Sequence, residues 1–149
     1  MRGFTLGKNF RYHGYFLLMG NFFVPNEAEF AIIAEIAASD LDRPVVMMNL
    51  NTYFEEAGYP DGQPYSDWIK VLDVLIKQAR GKKLWQLPVM GQPIGTQDLD
   101  EIIAVWYPSH QAFLSITRQH ASEENFRLRN LCVKHAVLHR CPGDVIAPS

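Results

Sequence analysis

The chain has 149 residues, of which 48% are hydrophobic and 20% charged, with a formal net charge of −2. That size and usage fit one folded domain with its own core and exclude a disordered chain. The near-neutral charge excludes a bulk field directed at nucleic acid or an anionic membrane, and basic–aromatic interleaving is missing as well.

Cys132 and Cys141 are the only cysteines and lack CxxC spacing, so they make no disulfide framework, and a reducing, cytoplasmic setting is expected. Charge is uneven along the chain. Eight acids face Arg43 alone between Glu27 and Asp61, whereas five basic residues stand against Glu123 and Glu124 between Arg118 and Arg140. Two solvated faces of opposite sign account for this. At the N-terminus, Arg2, Lys8 and Arg11 precede an apolar run, Gly14–Val24, that superficially resembles a signal peptide. Asn21 interrupts the run, Pro25 follows it, and no small-x-small cleavage site is near. It also falls short of the roughly 20 residues that a membrane helix needs. Met19 is an alternative start that would make residues 1–18 extra.

In chain order, Asn26 can cap a helix, with Glu29 in capping-box position and Phe30, Ile33, Ala34 and Ala37 on one face. Asp40–Pro44 ends it, because the residue before a proline is pushed out of the helical region. Val45–Tyr53 reads as a central strand whose alternating faces, Val45/Met47 and Val46/Met48/Leu50, are both apolar, so both sides of the sheet need cover. Tyr59-Pro60-Asp61-Gly62 is a turn. The clearest helical stripe runs from Tyr65 and Trp68 through Leu72 and Leu75 to Ala79, with Gly81 placed as a left-handed cap. Lys83–Met90 and Asp100–Tyr107 are strands joined by the loop Gly91–Thr96 and expected to pair antiparallel. Ser109 caps a helix that carries Phe113, Ile116 and Thr117 on one face. Ser122 starts a shorter one with Glu123 and Glu124 in its first turn, and Lys134–Arg140 is a fourth strand.

From Val45 onward the order is β-α-β-β-α-β, which predicts an α+β, ferredoxin-like domain with an extra N-terminal helix. Helices cover only one face of such a sheet. The apolar opposite face calls for a second copy in a two-fold homodimer.

Several stretches resemble the domain-of-unknown-function family thirteen-thirty of the dimeric α/β-barrel superfamily. They are Pro44-Val45-Val46-Met47-Met48-Asn49-Leu50, the turn Tyr59–Gly62, Gly81 before the second strand, and Asp100 leading into Trp106-Tyr107-Pro108-Ser109. The likeness spans roughly residues 22–141 and leaves residues 1–21 as an N-terminal extension, with 22–149 as the single domain. It implies a ferredoxin-like protomer packed sheet-to-sheet against its mate, with a cleft between sheet and helices. It implies no particular reaction, because one fold serves many functions. The first strand ends in Asn51-Thr52-Tyr53, where relatives often show a more basic, aromatic stretch.

Candidate site residues follow from their positions. Asn49 is an amide inside an apolar strand, so it bonds either the fold or a ligand. Tyr107 and Ser109 flank a helix N-terminus that could hold an anion, although Ser109 is equally explained as the cap. Trp85, Trp106 and Met47 are expected to wall the cleft. Arg129, and with it Arg127, could orient an anionic ligand. His110 and His120 are the candidates for proton transfer, His120 by its place on the Phe113/Ile116 face, where a satisfied core histidine is the alternative. His135 and His139 lie about 13 Å apart on a strand at roughly 3.3 Å per residue, too far to share a metal ion. No cofactor fingerprint, zinc pattern, catalytic cysteine signature or axial haem histidine is recognisable. The expected partners are a second copy of the chain and a small organic molecule, bound and, in the enzymatic reading, transformed without a tightly held cofactor, and neither nucleic acid nor membrane. A non-catalytic ligand-binding or structural dimer is the alternative.

Overall fold

The computed structural model describes residues 24–145, so the N-terminal extension, with the alternative start at Met19, lies outside the described residues. The elements are α1 (Glu27–Ala37), β1 (Val45–Tyr53), α2 (Gln63–Gln78), β2 (Lys82–Pro88), β3 (Glu101–Tyr107), α3 (His110–Leu114), α4 (Ser122–Cys132) and β4 (Val133–Pro142). Short 3-10 turns occupy Glu55–Ala57 and Ser115–Arg118. The four strands form one antiparallel sheet in the order β2-β3-β1-β4, an α+β architecture.

β1 is central, and its period-two alternation sorts the whole interior. Val45, Met47 and Tyr53 face the helices, joined by Ile103, Val105 and Tyr107 of β3. They pack on Trp68, Leu75 and Ile76 of α2, Phe113 of α3 and Phe126 of α4. The other face carries Val46, Met48 and Leu50 opposite Trp106, Ala104 and Ile102, with Trp85 and Leu87 beyond them on β2. Val46 and Ala104 there are buried, yet neither belongs to the core that joins the sheet to the helices. At the outer edge of that face Trp85 is 40% and Leu87 55% exposed.

Local chemistry departs from the sequence reading in three places. Asn26 does cap α1, accepting from Glu29 N at 3.1 Å, but the Glu29 carboxylate reaches Arg140 instead of closing a capping box. The left-handed residue after α2 is Arg80 (φ 61°) and not Gly81. Gly81 is required for space, since a Cβ there would lie 2.9 Å from the Trp106 carbonyl oxygen and 3.0 Å from the Tyr107 ring. The helix expected through Thr117 stops at Leu114 and tightens into a 3-10 turn, a common ending for a short helix. Strand bounds otherwise shift by one or two residues, and β1 matches its expected limits.

Gly81→Ala is expected to lower stability by about 1–3 kcal/mol, the usual cost of forcing extra volume into a packed site. Urea unfolding followed by circular dichroism measures it, and an unchanged midpoint would contradict the close contact.

Candidate functional site

Between the helix-facing side of β1 and β3 and helices α2–α4 lies a cavity of about 50 Å³. That is enough room for a small head group. Met47, Ile103, Phe113 and Phe126 supply apolar wall, while Asn49, Asn51, Asn125 and Arg129 supply polar atoms. The polar floor has a simple origin. Asn49 and Asn51 follow Met47 at period two on β1, and Asn125 and Arg129 stand four residues apart on one face of α4.

A second, larger hollow of about 570 Å³ runs between α1 and β4. Glu29, Phe30 and Ile33 line one side and the six residues His135–Arg140 the other, as expected where an edge strand turns its backbone outward. Met47, Phe113 and Leu138 line both spaces, so the inner cavity and the outer groove are neighbours.

The polar groups of the floor are oriented by the fold. Asn49 Nδ2 donates to the main-chain oxygens of Met47 and Ile103 at 3.1 and 3.2 Å. Asn125 Oδ1 accepts from Trp68 Nε1 at 3.2 Å. Asn51 Nδ2 makes a long bond of 3.4 Å to Tyr53 Oη, and Tyr53 Oη donates in turn to Glu101 Oε2. Glu101, 3% exposed, also accepts from Tyr65 Oη at 2.8 Å and from Gln86 Nε2 at 2.6 Å. Tyr53, Tyr59 and Tyr65 close around this carboxylate with ring centroids 4.8–5.2 Å apart. Burial, and then the neighbouring Glu101 charge, holds Tyr53 and Tyr65 well above the ordinary phenol range, so both keep their protons.

A separate chain of charges sits beyond the other end of β1. Asp42 accepts from the main-chain nitrogens of His110 and Gln111 at 2.8 and 3.1 Å and pairs with His110 Nδ1 at 2.8 Å. His110 Nε2 lies 3.4 Å from Arg140 Nη1, and Arg140 Nε pairs with Glu29 at 2.5 Å. Burial raises the Asp42 carboxyl, but the two backbone donors and His110 outweigh it and leave it below the ordinary range.

The structure divides the residues singled out from sequence. Asn49, Tyr107 and Arg129 meet at the inner cavity. Trp85 and Trp106 do not, because strand parity puts both on the opposite face of the sheet, where Trp106 Nε1 donates to the Gly143 carbonyl at 3.1 Å. Ser109 is the cap of α3, accepting from Ala112 N at 3.0 Å. His110 is buried with Asp42 as the carboxylate partner that the sequence left unseen. His120 is exposed, because the early end of α3 leaves it in a turn and off the Phe113/Ile116 face. Arg127 pairs with Glu124 at the surface. His135 and His139 are exposed on β4, and among the described residues no three His, Cys, Asp or Glu side chains gather closely enough to hold a metal ion. No helix of the described residues is long and apolar enough to cross a membrane. Sequence reasoning missed Asn51, Asn125, Glu101 and Asp42. Asn51 was signalled by sharing the parity of Asn49, and Glu101 by being a charge inside an otherwise apolar strand.

No family model matches the chain, and no curated protein does. Two solved structures are similar to it. The crystal structure of RPA0582, a protein of unknown function from Rhodopseudomonas palustris, is 24% identical, with a TM-score of 0.65 over 80% of this chain and 94% of its own. Methylated RPA0582 is 25% identical, with a TM-score of 0.64 over 83% of this chain and 95% of its own. These likenesses support the α+β fold and carry no activity with them.

Asp42→Asn is expected to cost about 1–3 kcal/mol at neutral pH, because a charged acceptor of two backbone N–H groups and its part-buried contact with His110 are weakened together. A carboxyl held low in the folded state stabilises above its unfolded pKa and loses that contribution as pH falls through the folded value. The gap between wild type and variant in urea titrations should therefore be full at pH 7 and shrink below about pH 4. A gap independent of pH would assign Asp42 no such role.

Proposed function

We propose that the chain is a member of the family it resembles, domain-of-unknown-function family thirteen-thirty, and acts as a ferredoxin-like protomer that binds a small organic molecule between its sheet and its helices. The observation that supports binding most directly is the pair of spaces sharing Met47, Phe113 and Leu138, a mostly apolar groove that also carries Glu29 and Arg140, and a smaller cavity with a polar floor. An apolar mouth with a few convergent polar groups is the usual make-up of a small-molecule site. Met47 is a flexible side chain, able to move aside as a ligand passes. Binding without chemistry is the better supported form. The polar side chains at the cavity are three amides, the Arg129 guanidinium and the Tyr107 phenol, and His110 has Asp42 at one ring nitrogen and Arg140 at the other. No cofactor is assigned.

The same reading includes a homodimer. The strand order β2-β3-β1-β4 with its two helical crossovers supports a ferredoxin-like protomer. Val46, Met48, Ile102, Trp85 and Leu87 then make an apolar sheet face outside the helix-side core. A second copy turned by a two-fold axis presents the same apolar surface and covers it.

Two measurements check this. A ligand-observed NMR screen of small fragments should return binders, and Leu138→Trp, folded by circular dichroism, should weaken them at least tenfold by blocking the shared wall. Binders indifferent to that block, or none at all, would overturn the cleft reading. Light scattering should give a dimer mass, and the double variant Trp85→Asp/Leu87→Asp a folded monomer. A monomeric wild type would remove the dimer.

A further inference from the structure

We propose that Asn51 is a specificity-determining residue, presenting a hydrogen-bond acceptor to the inner cavity that selects ligands whose head group carries an O–H or N–H donor. This rests on the reading that the cleft between sheet and helices binds a small molecule. The reasoning begins at Glu101, opposite Asn51 in the β1–β3 register. The hydroxyl proton of Tyr53 goes to Glu101 Oε2, so the phenol oxygen has only acceptor capacity left. The Asn51 amide can satisfy that oxygen only with Nδ2, and it does so at 3.4 Å. A planar amide with its nitrogen turned to Tyr53 must turn Oδ1 the other way. Asn51 is 2% exposed and lines the cavity, and Oδ1 has no hydrogen-bond partner among the described residues. A buried acceptor left without a donor costs free energy that a ligand donor recovers.

The neighbouring amides narrow the head group. Asn49 spends its Nδ2 on two main-chain oxygens, which leaves its Oδ1 as a further acceptor at the cavity. Asn125 spends Oδ1 on Trp68, so its Nδ2 is the donor end. Arg129, also lining the cavity, adds positive charge and disfavours an ammonium group. The complementary ligand is therefore a hydroxylated molecule, neutral or anionic at its head, with an acceptor atom beside the O–H. Its head fits the cavity of about 50 Å³ and its body the apolar groove.

Phenol and fluorobenzene test this, because they share a ring and nearly the same size and only phenol donates. In NMR titrations, phenol should shift the Asn51 side-chain amide signals and bind at least tenfold more tightly than fluorobenzene, which is about 1.4 kcal/mol. Asn51→Leu should level the two affinities. Glu101→Gln, able to donate to Tyr53 and so release the phenol proton toward Asn51, should turn the amide and erase or reverse the preference. The wild-type ratio and the Asn51 signals keep the test decisive even where a variant fails to fold. If both fragments shift the Leu138 and Phe113 signals with equal affinity, the donor selection is overturned and the cleft reading stands. If neither fragment moves Asn51, Leu138 or Phe113 at saturating concentration, both fall.

Discussion

The register of β1 between β3 and β4 is the constraint on which the rest of the structure depends. β1 pairs antiparallel on both sides, with Met47 opposite Val105 and Arg140, and Asn49 opposite Ile103 and Leu138. A slip of one residue would exchange the faces of every side chain. Met47, Asn49 and Asn51 would then leave the helix side, and Val46, Met48 and Leu50 would enter it. The core, the polar floor of the cavity and the apolar outer face are thus three consequences of one pairing. Because both alternative faces are largely apolar, hydrophobicity alone discriminates weakly between registers. Polar anchors at the two ends of the strand sharpen the choice. Tyr53 N donates to Asp100 Oδ2 at 2.8 Å at one end, and Gly143 N donates to Pro44 O at 2.9 Å at the other.

Glu101 shows how a costly group is made tolerable. A carboxylate taken out of water is destabilising unless its lone pairs are occupied. Two phenols and the Gln86 amide occupy them, and three tyrosine rings exclude solvent around them. The carboxylate also sets the direction of donors and acceptors through Tyr53 to Asn51. Replacing a buried charged group by well-packed apolar residues is often neutral or stabilising, so Glu101 is weak evidence of net stability.

Much of the fold was legible because it rests on short-range patterns. The two-sided apolar run Val45–Leu50, the stripe from Tyr65 to Ala79 and the cap at Ser109 each state their geometry within a few residues. The site was less legible because it is made across the sheet. Strand parity places Asn49 beside Asn51 but says nothing of Asn125 or Arg129, which arrive from α4. Trp85 and Trp106 look like pocket walls in one dimension, and only the register assigns them to the opposite face. His110 looked solitary since Asp42 lies 68 residues away along the chain. His120 was misplaced because a helix expected to continue tightened instead into a 3-10 turn.

The order of chemistry along β1 gives the cleft a direction. Near Val45 stands the Asp42–His110–Arg140–Glu29 chain, and Arg140 and Glu29 line the outer groove. Next come Met47 and its partners Phe113 and Leu138, apolar and common to both spaces. Asn49 and Asn51 follow, roughly 13 Å separating Met47 from Asn51 at the rise of a strand. The carboxylate of Glu101 and its tyrosines close the far end. On the proposed binding reading, a molecule entering from the groove would meet charge first, then an apolar stretch, and last a floor of oriented amides. The apolar stretch would reject strongly hydrated groups, since it offers them no partner, while the floor would penalise a head that cannot bond. Selection at the two stages would then act on different parts of the ligand, so that a cavity far smaller than the groove could still govern what the groove retains.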